Sequence, residues 1–394
     1  MKNYLINRFR QNIPSWNNSQ TSEFERPDIR DVHRSLKEYK PTPLIDLPGL
    51  AEHLGIGRLL IKDEAQRFGL KAFKALGATY AIYRFVCGEF EKSGLDIPSP
   101  EFFYSAEEII SSAQYTFCTA TDGNHGRGVA WTASKLRQNA VIYMPKNTVS
   151  ARIENIRGHG ADVYIVDGAY DDAVRICRDE AEKYGWQIIS DTAWPGYETI
   201  PEWIMAGYLT IFREIDESLK KKDSIDCFIV QGGVGALAAS ASWYYNTVHS
   251  QTGLRIVSVE PREAACLLES IDTPQGEPVK SRGKLNSIMA GLNCGTPSIT
   301  AWPFIKQGID IFITVTDRDA VEAMRTYYYP HVNDPRIVSG ESGASSLAAL
   351  KVLCLHDDYK DALNSIGLNK QSTVVLLNTE ADTDPEFFKN AVKS

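Results

Sequence analysis

Asp226-Cys-Phe-Ile-Val-Gln-Gly-Gly-Val-Gly-Ala236 changes character twice within a few residues. It opens on a short apolar run, passes through three glycines, and enters an alanine-rich stretch that reads as a helix to His249. A brief apolar run bounded by polar residues is the pattern of a strand buried on both faces. Strand, glycine turn and helix in that order are one half of a βαβ unit. Glycines let backbone N–H groups approach an anion, and a helix N-terminus adds partial positive charge. Three readings of the loop stay open. It fits a phosphate cradle. It also fits a dinucleotide fingerprint, Gly233-x-Gly235-x-x-Ala238, with Glu260 at the end of the next strand where an acid would meet a ribose. Or it is a tight turn with no ligand.

The same alternation runs outward on both sides. Upstream, strands are expected at 115–119, 140–144, 162–166 and 187–190, separated by helices over 126–136, 150–159 and 170–184. A helix over 203–219 precedes the quoted stretch. Downstream, strands are expected at 255–260, 310–315 and 373–378, with helices from Asp317 and over 342–355. Residues 1–45 read as irregular, and the first strand is expected at 58–62. The pattern is α/β with at least two mostly parallel sheets. The blocks suggest a large domain from residues 1–89 and 192–394, with a smaller α/β domain of residues 90–191 inserted in it.

Bulk properties exclude several classes. The 394 residues suffice for two or three domain-sized units. The formal net charge of -8 comes with no Lys/Arg-rich run, so no nucleic-acid partner is expected. The first ten residues lack the apolar core of a signal peptide, and no run approaches a membrane span. Seven scattered cysteines without a C-x-x-C pair point to free thiols in a reducing, cytoplasmic setting. No metal site is expected.

Chemistry concentrates in three further segments. Phe68-Gly-Leu-Lys-Ala-Phe-Lys74-Ala-Leu-Gly-Ala78 places lysines at the start of an alanine-rich helix. A lysine amine becomes a nucleophile when apolar surroundings favour loss of its proton. Thr121-Asp-Gly-Asn-His-Gly126 is a polar, glycine-spaced turn in which Asp122 is a candidate base. His125 reads better as a structural histidine under the turn. Ser190-Asp191-Thr-Ala-Trp-Pro-Gly-Tyr197 follows a short strand, where active-site groups of open α/β sheets gather.

Lysine, Asn-containing turn and glycine loop, in that order, resemble the fold-type II enzymes that use pyridoxal 5'-phosphate (PLP). That family has two open, mostly parallel α/β domains with the active site between them. Longer segments narrow the resemblance: Phe-Lys-x-Leu-Gly from Phe73, the turn at 121–126, the segment at 191–197, and Leu377-Asn-Thr379-Glu-Ala-Asp-Thr-Asp384. Together with Ile288–Gly295 and Ser339–Ala344 they resemble the diaminopropionate ammonia-lyases, over about residues 40–385. Two departures stand out. Ala72 replaces a usual Ser before Phe-Lys, and Ala381 replaces a usual Gly in the late motif.

The resemblance implies an enzyme, a carbon–nitrogen lyase that turns D- or L-2,3-diaminopropionate into pyruvate and ammonia. Lys74, following Phe73, would be the Schiff-base residue, with Lys71 at the surface or on the phosphate side. Asn124 would bind the cofactor's phenolic oxygen. Gly232, Gly233, Val234 and Gly235 would hold its phosphate, and Thr379 its pyridine nitrogen. Gly123 and Ser342 would be on the substrate side, with Glu341 a weaker candidate. Asp122 and Lys74 would take the α-proton on opposite faces, and Asp191 would bind the β-ammonium. A homodimer is implied, and Cys266 and Cys294 fall in segments assigned to one domain. Serine, threonine or hydroxyaspartate dehydration is the alternative chemistry, and a nicotinamide dehydrogenase the alternative class.

Overall fold

The computed structural model describes every residue except 1, 13, 18–20, 107–109, 122, 147, 169, 221–222 and 394. Among the described residues eleven strands occur: β1 (Tyr4–Ile6), β2 (Leu44–Asp46), β3 (Arg58–Asp63), β4 (Thr116–Ala120), β5 (Asn139–Pro145), β6 (Asp162–Val166), β7 (Gln187–Ile188), β8 (Cys227–Gln231), β9 (Arg255–Pro261), β10 (Ile311–Val315) and β11 (Thr373–Asn378). The chain divides into two compact units. The first comprises Met1–Thr21, Thr42–Gln66 and Ile211–Ser394, and the second Ser22–Pro41 and Arg67–Thr210.

The first unit is built on a seven-stranded sheet in the order β1-β10-β9-β8-β11-β3-β2. Its five inner strands run parallel, and β1 and β2 pair antiparallel at the two edges. The inner strands are buried along nearly their whole length, as expected for parallel strands covered by helices on both faces. Leu59, Ile229, Val257, Ile313 and Leu376 supply the core on one face, together with Leu347 and Leu350 of helix Glu341–Leu355. The glycine loop leaves the C-terminal end of β8 and enters helix Ala236–Val248.

The second unit carries a four-stranded, all-parallel sheet in the order β6-β5-β4-β7. Cys118, Val141, Tyr143, Val166 and Cys177 form part of its core. Helix Ala75–Lys92 packs on helices Asn124–Lys135 and Thr199–Gly207.

Several expectations are corrected. Residues 1–45 are not wholly irregular, because β1, β2 and a short helix at Ile29–Arg34 lie there. The helix expected over 203–219 is two, Thr199–Gly207 and Leu209–Ser218. The unit boundaries also differ from the expected ones. Residues 22–41, 67–89 and 192–210 group with the smaller sheet, because helix Ala75–Lys92 packs within that unit.

Candidate active site

Lys74 stands immediately before helix Ala75–Lys92 and is partly buried, whereas Lys71 is exposed. The Lys74 amine donates to Asp191 Oδ2 in a short charge-assisted contact. Its Nζ lies 5.6 Å from the Phe73 ring centroid, and Phe73 packs on Tyr208 with centroids 4.9 Å apart. Burial raises the Asp191 carboxyl, but the charge of Lys74 and its hydrogen bond outweigh it and bring the pKa down to about 2. Asp191 is therefore a buried anion throughout the physiological range.

The loop around Asp191 explains its own sequence. Tyr197 Oη accepts from Ser190 N at 2.8 Å and donates to Ile188 O at 3.0 Å. Trp194 stacks on Tyr197, with ring planes only 13° apart. The Asp-Thr-Ala-Trp-x-Gly-Tyr run thus closes on itself and fixes the carboxylate.

His125 is buried beneath the turn. Its Nε2 donates to Ile189 O at 2.7 Å, two residues before Asp191, and burial lowers its pKa so that it stays neutral. Nδ1 is then the unprotonated nitrogen, buried with no hydrogen-bond partner among the described residues. Thr121 Oγ1 accepts from Gly123 N and Gly126 N and so shapes the turn into helix Asn124–Lys135. Asn124 shares a small cleft with Leu70, Ala72, Ala75, Arg127 and Gly128. Asp122 lies outside the described residues.

Sequence reading missed Tyr208 in this unit. Its hydroxyl is buried without a hydrogen-bond partner among the described residues, and the charges of Lys74 and Asp191 both act on it. No local motif marks it, since it sits at the break between two helices.

The remaining candidate residues belong to the first unit. Gly233 and Gly235 take φ values of +62° and +101°, conformations that favour glycine. A Cβ on Gly235 would stand 2.4 Å from Ile305 Cδ1. Gly232 N donates to Val259 O and Ser298 N to Val234 O, so both sides of the loop are anchored. Thr379 is buried just beyond β11. Ser342 lies in the first turn of helix Glu341–Leu355, and its Oγ is buried with no hydrogen-bond partner among the described residues. Glu341 is also buried, and Glu380 accepts from Ser342 N at 3.1 Å.

Glu260 overturns the dinucleotide reading. It is fully buried, and its two oxygens accept from Leu267 N and Leu268 N, each at 2.8 Å. A carboxyl group whose two oxygens are committed to the start of helix Cys266–Ile271 is not free to bind a ribose. Cys266 and Cys294 are both free thiols.

These features fit a phosphate-bearing aldehyde cofactor. In the first unit the glycine turn presents backbone without side chains and the Ser342 hydroxyl has no hydrogen-bond partner among the described residues; in the second unit the partly buried Lys74 amine has a fixed counter-charge. The family model for pyridoxal-phosphate-dependent enzymes matches residues 36–380. The chain belongs to that family. It is 41% identical over 364 residues to the diaminopropionate ammonia-lyase of Escherichia coli K12, covering 92% of this chain and 90% of that protein. The Salmonella typhimurium protein of the same name is 42% identical over 370 residues, with coverage of 93% and 91%. A crystal structure of the E. coli enzyme with an aminoacrylate-PLP azomethine intermediate superposes with a TM-score of 0.86. It is 38% identical, covering 99% of this chain and 96% of that one. The chain is accordingly a fold-type II, PLP-dependent carbon–nitrogen lyase of the diaminopropionate ammonia-lyase branch.

Proposed function

We propose that this lyase converts 2,3-diaminopropionate, as the D-isomer, the L-isomer or both, into pyruvate and ammonia by α,β-elimination. The Lys74–Asp191 pair carries the reading. Asp191 is an anion that Lys74 neutralises only while its amine is charged. A carboxylate fixed at this position would give a substrate's β-ammonium a buried counter-charge, and a buried carboxylate left without one is costly. The hydroxyl of serine or threonine carries no charge to match it.

Lys74 would hold PLP covalently, with Phe73 beside the ring and Asn124 at the phenolic oxygen. The backbone at Gly232, Gly233, Val234 and Gly235 would bind the phosphate, and Thr379 the pyridine nitrogen. Bound PLP supplies an electron sink for the pair released when the α-proton leaves. Lys74 would remove that proton on one face for the L-isomer, and Asp122 on the other for the D-isomer. Gly123 and Ser342 would contact the substrate carboxylate side. Asp191 would bind the β-ammonium and orient it as the leaving group. Among the described residues no helix is long and apolar enough to cross a membrane. A homodimer and a cytoplasmic setting complete the proposal.

The test is pyruvate release by the PLP-loaded protein from D- and L-2,3-diaminopropionate, D- and L-serine and L-threonine. Preferred turnover of the diamino acid supports the reading. Preference for a hydroxy amino acid would keep the PLP site and overturn the substrate.

A further inference from the structure

Gln231 is the last residue of β8 and directly precedes the glycine loop. Its side chain is buried and reaches across to two other segments. Nε2 donates toward Leu377 O at 3.0 Å, Gly343 O at 3.2 Å and Ser342 O at 3.3 Å. Leu377 is in β11, two residues before Thr379. Ser342 and Gly343 open helix Glu341–Leu355. The surroundings fix the amide's orientation: only the nitrogen can face three carbonyl oxygens. Two hydrogens serve three acceptors, so a small shift of any one segment weakens the set. A Cβ on Gly343 would stand 2.4 Å from the Asn378 side-chain Oδ1 and 2.7 Å from Glu380 O, so the start of the helix packs tightly against the segment at the end of β11.

We propose that Gln231 is a positioning residue for the cofactor, holding the phosphate loop, the Thr379 strand end and the Ser342 turn at one fixed spacing. The inference rests on the PLP reading of the glycine loop. A rigid ligand that contacts the loop at one end and Thr379 at the other gains from both contacts only if their separation is set beforehand. A ligand lacking the phosphate has nothing to gain from that spacing. Gln231 therefore contributes to the preference for PLP over pyridoxal and not to general affinity for the ring.

The experiment titrates the apo forms of the wild-type protein, Gln231→Met and Gln231→Glu with PLP and with pyridoxal, following protein fluorescence. Melting of each apo form is recorded in parallel. Gln231→Met keeps the length and removes the donors. Gln231→Glu keeps the shape and sets a carboxylate against three carbonyls. The expected result is a loss of PLP affinity of roughly tenfold or more with a smaller loss for pyridoxal, so that the ratio of the two falls. An unchanged ratio would overturn the proposal, whether both affinities fall together or neither falls. If Gln231→Met does not fold, the ratio from Gln231→Glu decides. A wild-type protein that binds PLP no better than pyridoxal would overturn the phosphate-loop reading itself, and the proposal with it.

Discussion

At the scale of single residues, the charge relation of Lys74 and Asp191 makes the sharpest demand. Asp191→Asn removes the buried anion with little change of volume. It should raise the KM for diaminopropionate by roughly tenfold or more, about the strength of a charge-assisted hydrogen bond, and change the KM for serine much less. Steady-state kinetics on the two substrates decide it, and equal losses would remove Asp191 from β-ammonium binding. Asp122→Asn should impair the D-isomer more than the L-isomer in the pyruvate assay. Equal impairment would sink the two-face assignment. Lys74 stood out in the sequence as a candidate because Phe73-Lys74 opens a helix, a local pattern. That its partner would be Asp191 was not, because the two are 117 residues apart in the chain and only packing brings them together. Tyr208 and Gln231 escaped for the same reason: their significance lies in what surrounds them.

Among the elements, the glycine loop and one helix crossing make different kinds of demand. Gly235 combines φ of +101° with a Cβ position 2.4 Å from Ile305 Cδ1. Gly235→Ala should weaken PLP binding by roughly tenfold or more, since strain of about 1–3 kcal/mol falls on the phosphate loop itself. A fluorescence titration with PLP checks it. Gly207 serves packing alone. A Cβ there would lie 2.5 Å from Leu76 O and 3.0 Å from Gly77 Cα, where helix Thr199–Gly207 crosses helix Ala75–Lys92. Gly207→Ala should therefore destabilise the second unit by about 1–3 kcal/mol in urea melts, as overpacking does. The same crossing lies beside the break at Tyr208 in what periodicity reads as one long helix. Buried parallel strands announced themselves as apolar runs, while β1 and β2, three residues each, are too short to show a period.

For the molecule as a whole, alternation of strands and helices was enough to read an α/β fold with two sheets. The division into units was not, because helix Ala75–Lys92 declares its unit only through its packing. The two units also carry buried groups shifted in opposite senses, so pH should act on them differently. In the first, burial outweighs two backbone hydrogen bonds and raises Glu260 to about 8. A carboxyl raised in the folded state binds its proton more tightly there. Stability is then full below its unfolded pKa and falls as pH rises from about 4.5 to 8. In the second unit the signs reverse. Burial lowers His125, so stability is full above its unfolded pKa of 6.5 and falls as pH drops below it. Asp191, held down to about 2, adds a loss as pH falls from 3.8 toward that value. Glu202, raised to about 7 by burial, opposes this trend in the second unit, but it is half-exposed and solvent screening reduces its effect. Each fully titrating group changes stability by at most about 1.4 kcal/mol per pH unit. Taking the cofactor-free protein from pH 7.5 to 5 should strengthen the first unit and weaken the second. Amide hydrogen exchange, corrected for its intrinsic pH dependence, reads the two separately. Protection of β8 and β9 should rise while that of β4 and β5 falls, and Glu260→Gln should abolish the rise alone. Parallel changes in both sheets would mean that neither Glu260 nor His125 governs the response.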